Sequence, residues 1–234
     1  MSMTVIILAG GLATRLRPLT KKIPKALINV GGKPFIFWQL ELLKRQGIKD
    51  IVICCGYLGE MIESTVGDGK KLGLNVIYSF DGSNLLGTGG AIKNSLHLLP
   101  EYFIVMYGDT ILSIDFKKLQ NTFNLSKIKN LMTILKNNNK WAPSNINFKN
   151  KNIIQYSNNN NSDTKYIDYG LSILSKKYFE QTKKQKFNLD IIFKKLINEK
   201  QLLAFEVKKR FYEINTADGL LETEEYLTKN LDFL

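Results

Sequence analysis

From Ile7 to Leu27 the chain reads ILAGGLATRLRPLTKKIPKAL. Two glycines, two arginines, three lysines and two prolines there follow an apolar burst. The stretch is too polar and too punctuated to be core. In an open α/β sheet, ligands bind beyond the carboxyl ends of the strands. A loop from Ala9 to Thr20 leaving a first strand can therefore turn its backbone amides toward an anion. Gly10 and Gly11 allow the close backbone approach this needs. The loop matches neither common phosphate signature. It contains no G-x-G-x-x-G, and Gly32-Lys33 is followed by Pro34 with no glycine five residues upstream, so it is not a Walker loop.

The elements around the loop read as α/β. Apolar, β-rich runs occur at TVIIL (4–8), IVICC (51–55), NVIYSF (75–80) and FIVMY (103–107). Between the first two lies PFIFWQLELLKRQG. Pro34 suits a first helical turn, Gly47 suits a C-cap, and Phe35, Trp38, Leu42 and Leu43 share a face. Further helices are expected after Leu58 and around Gly89–Leu98. Alternating strands and helices imply right-handed crossovers and a parallel sheet covered on both faces. From about Asn130 to Leu174 the pattern changes to short strands (LMTILK, NINF, NIIQYS, YGLSIL) with Asn-rich turns, and the tract Ser157–Asp163 reads as a surface loop. The end returns to helix, strand and helix. The expected fold class is α/β, a Rossmann-like, mainly parallel sheet flanked by helices, with a smaller β-rich insertion. One domain spans 1–234: an α/β half (1–125), a β-rich part (about 130–175) and a return to the α/β core (176–234).

Bulk properties narrow the function. At 234 residues and 44% apolar content the chain can bury a substantial core. The beginning MSMTVIILAGG lacks a basic n-region, and no run approaches the length that crosses a bilayer, so the expectation is a cytoplasmic protein with no membrane insertion. Cys54 and Cys55 are adjacent in an apolar run and read as buried thiols, because metal sites want spaced ligands. The net charge of +12 invites nucleic acid as a partner. Much of the lysine, however, is scattered among asparagines, a bias that A-rich codons produce without selection for binding, and no nucleic-acid-binding motif occurs. Small anionic ligands fit better. His97, the single histidine, reads as structural.

The longer pattern LAGGLATRLRPLTKKIPKAL resembles the signature of the sugar-1-phosphate nucleotidylyltransferases, L-A-G-G-x-G-T-R-L-x-P-L-T followed by P-K-x-L. VGGKPFIFWQLELLKRQGIKDIVI looks like the segment that follows it in that family. LLGTGGAI is similar to its base-binding loop, MYGD to its metal-binding turn and FYEINTADGL to its second metal turn. The motifs keep family order over nearly the whole chain. The resemblance implies that a sugar 1-phosphate oxygen attacks the α-phosphorus of an NTP in line and pyrophosphate leaves. The nucleophile is already an anion, so the enzyme's task is aligning two polyanions and neutralising charge. By the motif match Arg15 binds the triphosphate and Lys25 bridges phosphates, while Arg17, Lys21 and Lys22 read as surface charge. Asp109 and Glu213 would hold Mg²⁺, with Glu213 standing where the family usually has Asp. The nucleotide would be met by Leu8, Ala9, Gly10, Gly11, Thr14 and Arg15, and by Gly87, Thr88 and Gly89. The sugar phosphate would be met by Lys25, Asn145, Asp168 and Gly170.

Two departures stand out. Ala13 replaces the usual glycine, a cost if that position needs positive φ. The family's E-K-P turn is replaced by QYSNNNNSD, which leaves two alternatives: Lys165 of the neighbouring strand substitutes for its lysine, or the acceptor is held differently. Within the family, the chain most resembles heptose-1-phosphate guanylyltransferases and the N-acetylmuramate-1-phosphate uridylyltransferase, with GTP and a heptose 1-phosphate as the first expectation. Alternatives are a hexose-type uridylyltransferase, a choline-phosphate cytidylyltransferase, whose acceptor would want an aromatic and acidic cage not evident in sequence, and a regulatory paralogue. Retention of Arg15, Lys25 and Asp109 speaks against the last.

Overall fold

The computed structural model describes residues 3–157 and 163–230. Residues 158–162 of the Asn-rich tract lie outside them. The chain opens with β1 (Val5–Leu8), passes through a long loop, and makes a short hairpin from β2 (Asn29–Val30) and β3 (Lys33–Pro34). Helix α1 (Phe35–Arg45) starts directly after Pro34, and Gly47, at φ 78°, supplies the left-handed residue that ends it. Then come β4 (Asp50–Cys55), α2 (Gly59–Val66), β5 (Asn75–Phe80), α3 (Gly87–Asn94) and β6 (Tyr102–Tyr107). The four strands β5-β4-β1-β6 are neighbours in that order, all parallel. The chain thus reverses its direction of winding at β1, and the crevice beyond the ends of β1 and β6 is the topological switch point where such sheets take ligands.

Strand alternation divides the core into two layers. Ile7, Ile53, Ile104 and Met106 face Ile36, Leu40 and Leu43 of α1. Ile6, Val52, Phe103 and Val105 face the other way, against Ala91 and Ile92 of α3. Phe35, Trp38 and Leu42, on another side of α1, pack with Ile214 and Leu227. Helix α1 is therefore buried on two sides.

The second half follows as β7 (Thr110–Ile111), α4 (Phe116–Leu125), β8 (Leu131–Lys136), β9 (Ile146–Lys149), β10 (Asn152–Tyr156), β11 (Tyr166–Ser175), α5 (Lys177–Glu180), α6 (Asp190–Asn198), β12 (Leu203–Val207), β13 (Tyr212–Glu213) and α7 (Ala217–Lys229). Here the expectation of a mainly parallel sheet needs correction. Among the described residues the sheet has nine strands, and β11 joins it antiparallel to β6. Beyond β6 the strands run in the order β11-β8-β12-β10-β9, and β9 also pairs with β11. The β-rich part is thus continuous with the main sheet and curls into a small mixed barrel. The reason is local. Short connections cannot make parallel crossovers, and Asn150 and Lys151, at φ 51° and 63°, form a two-residue hairpin turn between β9 and β10. In β11 the register with β8 shifts between Asp168 and Ser172, around Gly170 at φ 93°, a bulge of the kind that re-aims side chains. Among the described residues no helix is long and apolar enough to cross a membrane.

Gly90 shows how tightly α3 is fitted. A β-carbon there would lie 2.3 Å from the Gln185 carbonyl oxygen, and the Gly90 N–H donates to the Phe187 carbonyl. Gly90→Ala is expected to cost about 1–3 kcal/mol of stability by overpacking against backbone. An unchanged urea midpoint would contradict that fit.

Candidate functional site

A cavity of about 310 Å³ lies at the switch point. Its floor is the ends of β1 and β6 (Leu8, Ala9, Tyr107), and its walls include Gly10 and Gly11 of the loop and Gly87 and Thr88 of α3. The loop is held from beneath. Buried Thr20 donates its hydroxyl to the Ala13 carbonyl at 2.8 Å, and the Leu16 N–H donates to the same oxygen. Ala13 has φ 48°, so the position does take a left-handed backbone, at a cost that glycine would avoid. Gly108 must be glycine: a β-carbon would meet the Leu8 carbonyl oxygen at 2.7 Å, where the Gly108 N–H now donates.

Asp109 follows on that turn. Its position is fixed from both sides of the chain. Buried Gln39 of α1 donates from Nε2 to the carbonyls of Tyr107 and Thr110, both at 2.8 Å. The Ile214 N–H donates to the Asp109 carbonyl, and β13 pairs with β7 so that Glu213 lies opposite Thr110. Lys25 opens a short turn after Pro24, anchored by buried Ala26. Its ammonium sits 2.9 Å from Asp109 Oδ2 and also donates to Asn215 Oδ1, while Asn215 Nδ2 donates to Glu213 Oε2. Lys25, Asp109, Asn215 and Glu213 thus form one hydrogen-bonded chain. Burial and then the neighbouring Asp109 push the Glu213 carboxyl above its usual range, while Asn215, Arg15 and Lys25 pull it back. Two carboxylates facing one another at a cavity wall call for a cation. Among the described residues no cluster of three or more His, Cys, Asp or Glu could hold a metal, but a hard ion such as Mg²⁺ often takes only one or two carboxylates and completes its shell with phosphate and water. The donor set fits that ion.

A second cavity, of about 240 Å³, lies on the other side of the same turn and shares Tyr107 and Asp109 with the first. Its walls come from the barrel. Asn145 Oδ1 accepts from the Asp168 N–H at 2.9 Å, and Asp168 in turn accepts from the Gly170 N–H and the Tyr156 hydroxyl. Tyr169, Phe211 and Glu213 complete them. Burial lifts the Asp168 carboxyl to about 6, against the opposing pull of its two donors.

A model of the family described as "Nucleotidyl transferase" matches residues 4–230. The chain belongs to the nucleotidyl transferase family. It is 44% identical over 115 residues to the N-acetylmuramate alpha-1-phosphate uridylyltransferase of Neisseria meningitidis serogroup B, covering 49% of this chain and 50% of that protein. It is 42% identical over 126 residues to the D-glycero-alpha-D-manno-heptose 1-phosphate guanylyltransferase of Campylobacter jejuni, covering 54% and 55%. In these matches the chain spans about half the length of its curated relatives. Among solved structures, HddC from Yersinia pseudotuberculosis complexed with GMP-PN is 27% identical with a TM-score of 0.81, covering 96% of this chain and 99% of that one.

In this member of the family the first cavity brings together Leu8, Ala9, Gly10, Gly11, Gly87, Thr88, Lys25 and Asp109 of the expected residues. The second gathers Asn145, Asp168, Gly170 and Glu213. Others fall elsewhere. Gly89 lines neither cavity; its N–H donates to the Phe187 carbonyl and a β-carbon there would strike the Phe187 ring. The Ala9 N–H donates to the Cys54 carbonyl, so it presents no free donor. Thr88 Oγ1 accepts from the Leu189 N–H, holding the segment that carries Asn188 to the cavity. Thr14 and Arg15 are exposed on the loop outside the wall, with Arg15 near enough to Glu213 to favour its charged form. Lys165 is exposed and lines neither cavity, and neither does exposed His97. Burial pushes both cysteine thiols up to about 12, leaving them inert at neutral pH. Gln39, Asn215, Tyr107 and Tyr156 were not singled out from the sequence. Only Gln39, a polar residue inside an apolar helical run, left a signal there.

The raised Asp168 value carries a stability consequence. Its folded value exceeds the ordinary 3.8, so stability present at low pH is lost as pH rises from there through about 6. Asp168→Asn is therefore expected to raise Tm at neutral pH, with the gain shrinking toward zero as pH falls to about 4. A pH series of calorimetric scans checks this; a pH-independent change would contradict it.

Proposed function

We propose that the chain transfers a nucleotidyl group from an NTP bound in the first cavity to a sugar 1-phosphate bound in the second, giving an NDP-sugar and pyrophosphate. The observation that carries this reading is the shared wall. Two cavities of different character meet at Asp109 and Tyr107, and the Lys25–Asp109–Asn215–Glu213 chain runs along the junction. Residues 1–125 would supply the nucleotide side and about 130–175 the acceptor side, with 176–234 completing both; β12, from that last segment, lies in the barrel between β8 and β10.

In the proposed reaction an oxygen of the acceptor phosphate attacks the α-phosphorus, and the bond from that phosphorus to the oxygen bridging the β-phosphorus breaks. No side chain need accept a proton, because the nucleophile is already an anion. The protein's work is to hold two polyanions in line and offset their charge. Lys25 stands at the junction, where a freed ammonium can reach both sets of phosphates, and Arg15 lies on the loop above. Asp109 and Glu213 would hold Mg²⁺, which when bound offsets charge on the phosphate oxygens. Gln39 keeps Asp109 in register through the two carbonyls that flank its turn.

For the substrates, GTP and a heptose 1-phosphate are the preferred pair, yielding a GDP-heptose of the kind used in surface polysaccharides. The Campylobacter relative and the GMP-PN-bound HddC support this choice. A uridylyltransferase of a hexose-type 1-phosphate is the alternative that the Neisseria relative supports. A choline-phosphate cytidylyltransferase gains support from one specific feature. The sequence offered no aromatic and acidic cage, but Tyr107, Tyr156, Tyr169 and Phe211 line the second cavity together with Asp168.

Pyrophosphate release should require a divalent cation and stop in EDTA. Asp109→Ala should lower kcat about 100-fold or more while circular dichroism stays native, as expected for loss of the main charge anchor. Lys25→Ala should depress single-turnover rate more than NTP affinity in calorimetric titration. Full turnover in EDTA, or a Lys25→Ala enzyme that binds NTP poorly but reacts normally once saturated, would overturn these assignments.

A further inference from the structure

The charge of the second cavity is lopsided. Its walls carry the carboxyl groups of Asp109, Asp168 and Glu213, and among the described residues no lysine, arginine or histidine lines it. The cations lie to one side. Lys25 reaches the junction and is spoken for by Asp109 and Asn215, and Arg15 is on the loop beyond. Asp168 lies across the cavity, in the barrel. It is fixed there by the Gly170 N–H at 3.0 Å and the Tyr156 hydroxyl at 3.3 Å, neither of them a charged partner. Tyr107, Tyr156, Tyr169 and Phe211 also line this cavity and bring apolar ring surface to it. A carboxylate so placed, without a counter-ion, acts over a longer range than one in water.

We infer that Asp168 is a charge filter: the acceptor cavity admits compounds whose only anionic group is the reacting phosphate, and rejects acceptors carrying a second negative charge at the far end. The inference rests on the second cavity being the acceptor site. An acceptor must put its phosphate toward Lys25, since that is where the cation stands. Its distal end then meets Asp168, Asn145 and the tyrosines. Hydroxyls there donate to the carboxylate, and a cationic nitrogen would also be welcome. A distal carboxylate would face Asp168 with no cation to separate them, the arrangement by which binding sites exclude wrong partners. The filter separates two of the relatives' acceptor types on chemistry alone, because muramate bears a carboxylate and a heptose does not. It favours the neutral sugar.

The test is a matched pair of acceptors, D-glycero-α-D-manno-heptose 1-phosphate and N-acetylmuramate 1-phosphate, each offered with GTP, UTP and CTP, alongside phosphocholine. Pyrophosphate release is followed for the wild-type chain, Asp168→Asn and Tyr156→Phe. The wild type should favour the neutral acceptor over muramate by about 100-fold or more in kcat/KM. Asp168→Asn should narrow that ratio about tenfold or more, chiefly through the KM for muramate, with the KM for NTP unchanged. Tyr156→Phe keeps the charge and should keep the ratio, which separates loss of the filter from a disturbed cavity. Equal or better use of muramate by the wild type, or a ratio that Asp168→Asn leaves unaltered, would overturn the filter while leaving nucleotidyl transfer standing. Should Asp168→Asn not fold, the wild-type ratio and Tyr156→Phe decide. No pyrophosphate from any pair would instead refute GTP and a heptose 1-phosphate as the substrates.

Discussion

On the proposed reading, this site depends on one constraint: negative charge is gathered where more negative charge must come. Asp109 and Glu213 stand together at the wall of the second cavity, and burial and its neighbour push the Glu213 carboxyl above its usual range. In the free protein the ammonium of Lys25, partly shielded from water, balances them directly and through Asn215. A half-buried pair of this sort is modest evidence for stability, because desolvation offsets much of the attraction. Its value lies in holding a cation at the junction, already stripped of part of its water and set between two chambers. On the proposed reading, phosphates and a metal ion would then replace the contacts that Lys25 and the carboxylates now make with each other.

The fold brings those four residues together from distant stretches of chain. Lys25 comes from the loop after β1, Asp109 from the turn after β6, and Glu213 and Asn215 from β13 and its following turn. The pairing of β13 with β7 and the bond from Ile214 to the Asp109 carbonyl carry the last of these to the others. Gln39 acts at the level of the backbone. It reaches from a helix buried on two sides and grips both carbonyls around the Gly108–Asp109 turn, leaving its own Oε1 buried without a partner. That orphan acceptor shows how tightly the amide's orientation is dictated by the turn it holds.

Much of this was legible in sequence because it is local. The glycine-rich loop, the Pro34-to-Gly47 helix, the apolar strands and the motif residues Lys25, Asp109 and Glu213 are each written within a few neighbours. What escaped is written across long separations. The barrel closes only because β9 meets both β10 and β11, and nothing in the alternation of four short strands specifies that ring. The second cavity draws Tyr107, Tyr156 and Phe211 to the strand that carries Asp168 from separate stretches of chain, so no motif could announce it. Gly89 is a different case. It sits inside a recognisable loop motif, and its lack of a side chain also serves packing against Phe187.

The account's central claim is that the two cavities meeting at Asp109 receive the two substrates with a cation between Asp109 and Glu213. The most direct measurement is an anomalous-scattering crystal structure with Mn²⁺ and a non-hydrolysable NTP analogue. The account predicts a single strong manganese peak within coordination distance of Asp109 and Glu213. The base should lie against Gly87 and Thr88, and Lys25 should have turned from Asp109 toward the phosphates. Manganese bound elsewhere, or the nucleotide seated against Asp168 and Tyr156 in the second cavity, would contradict it.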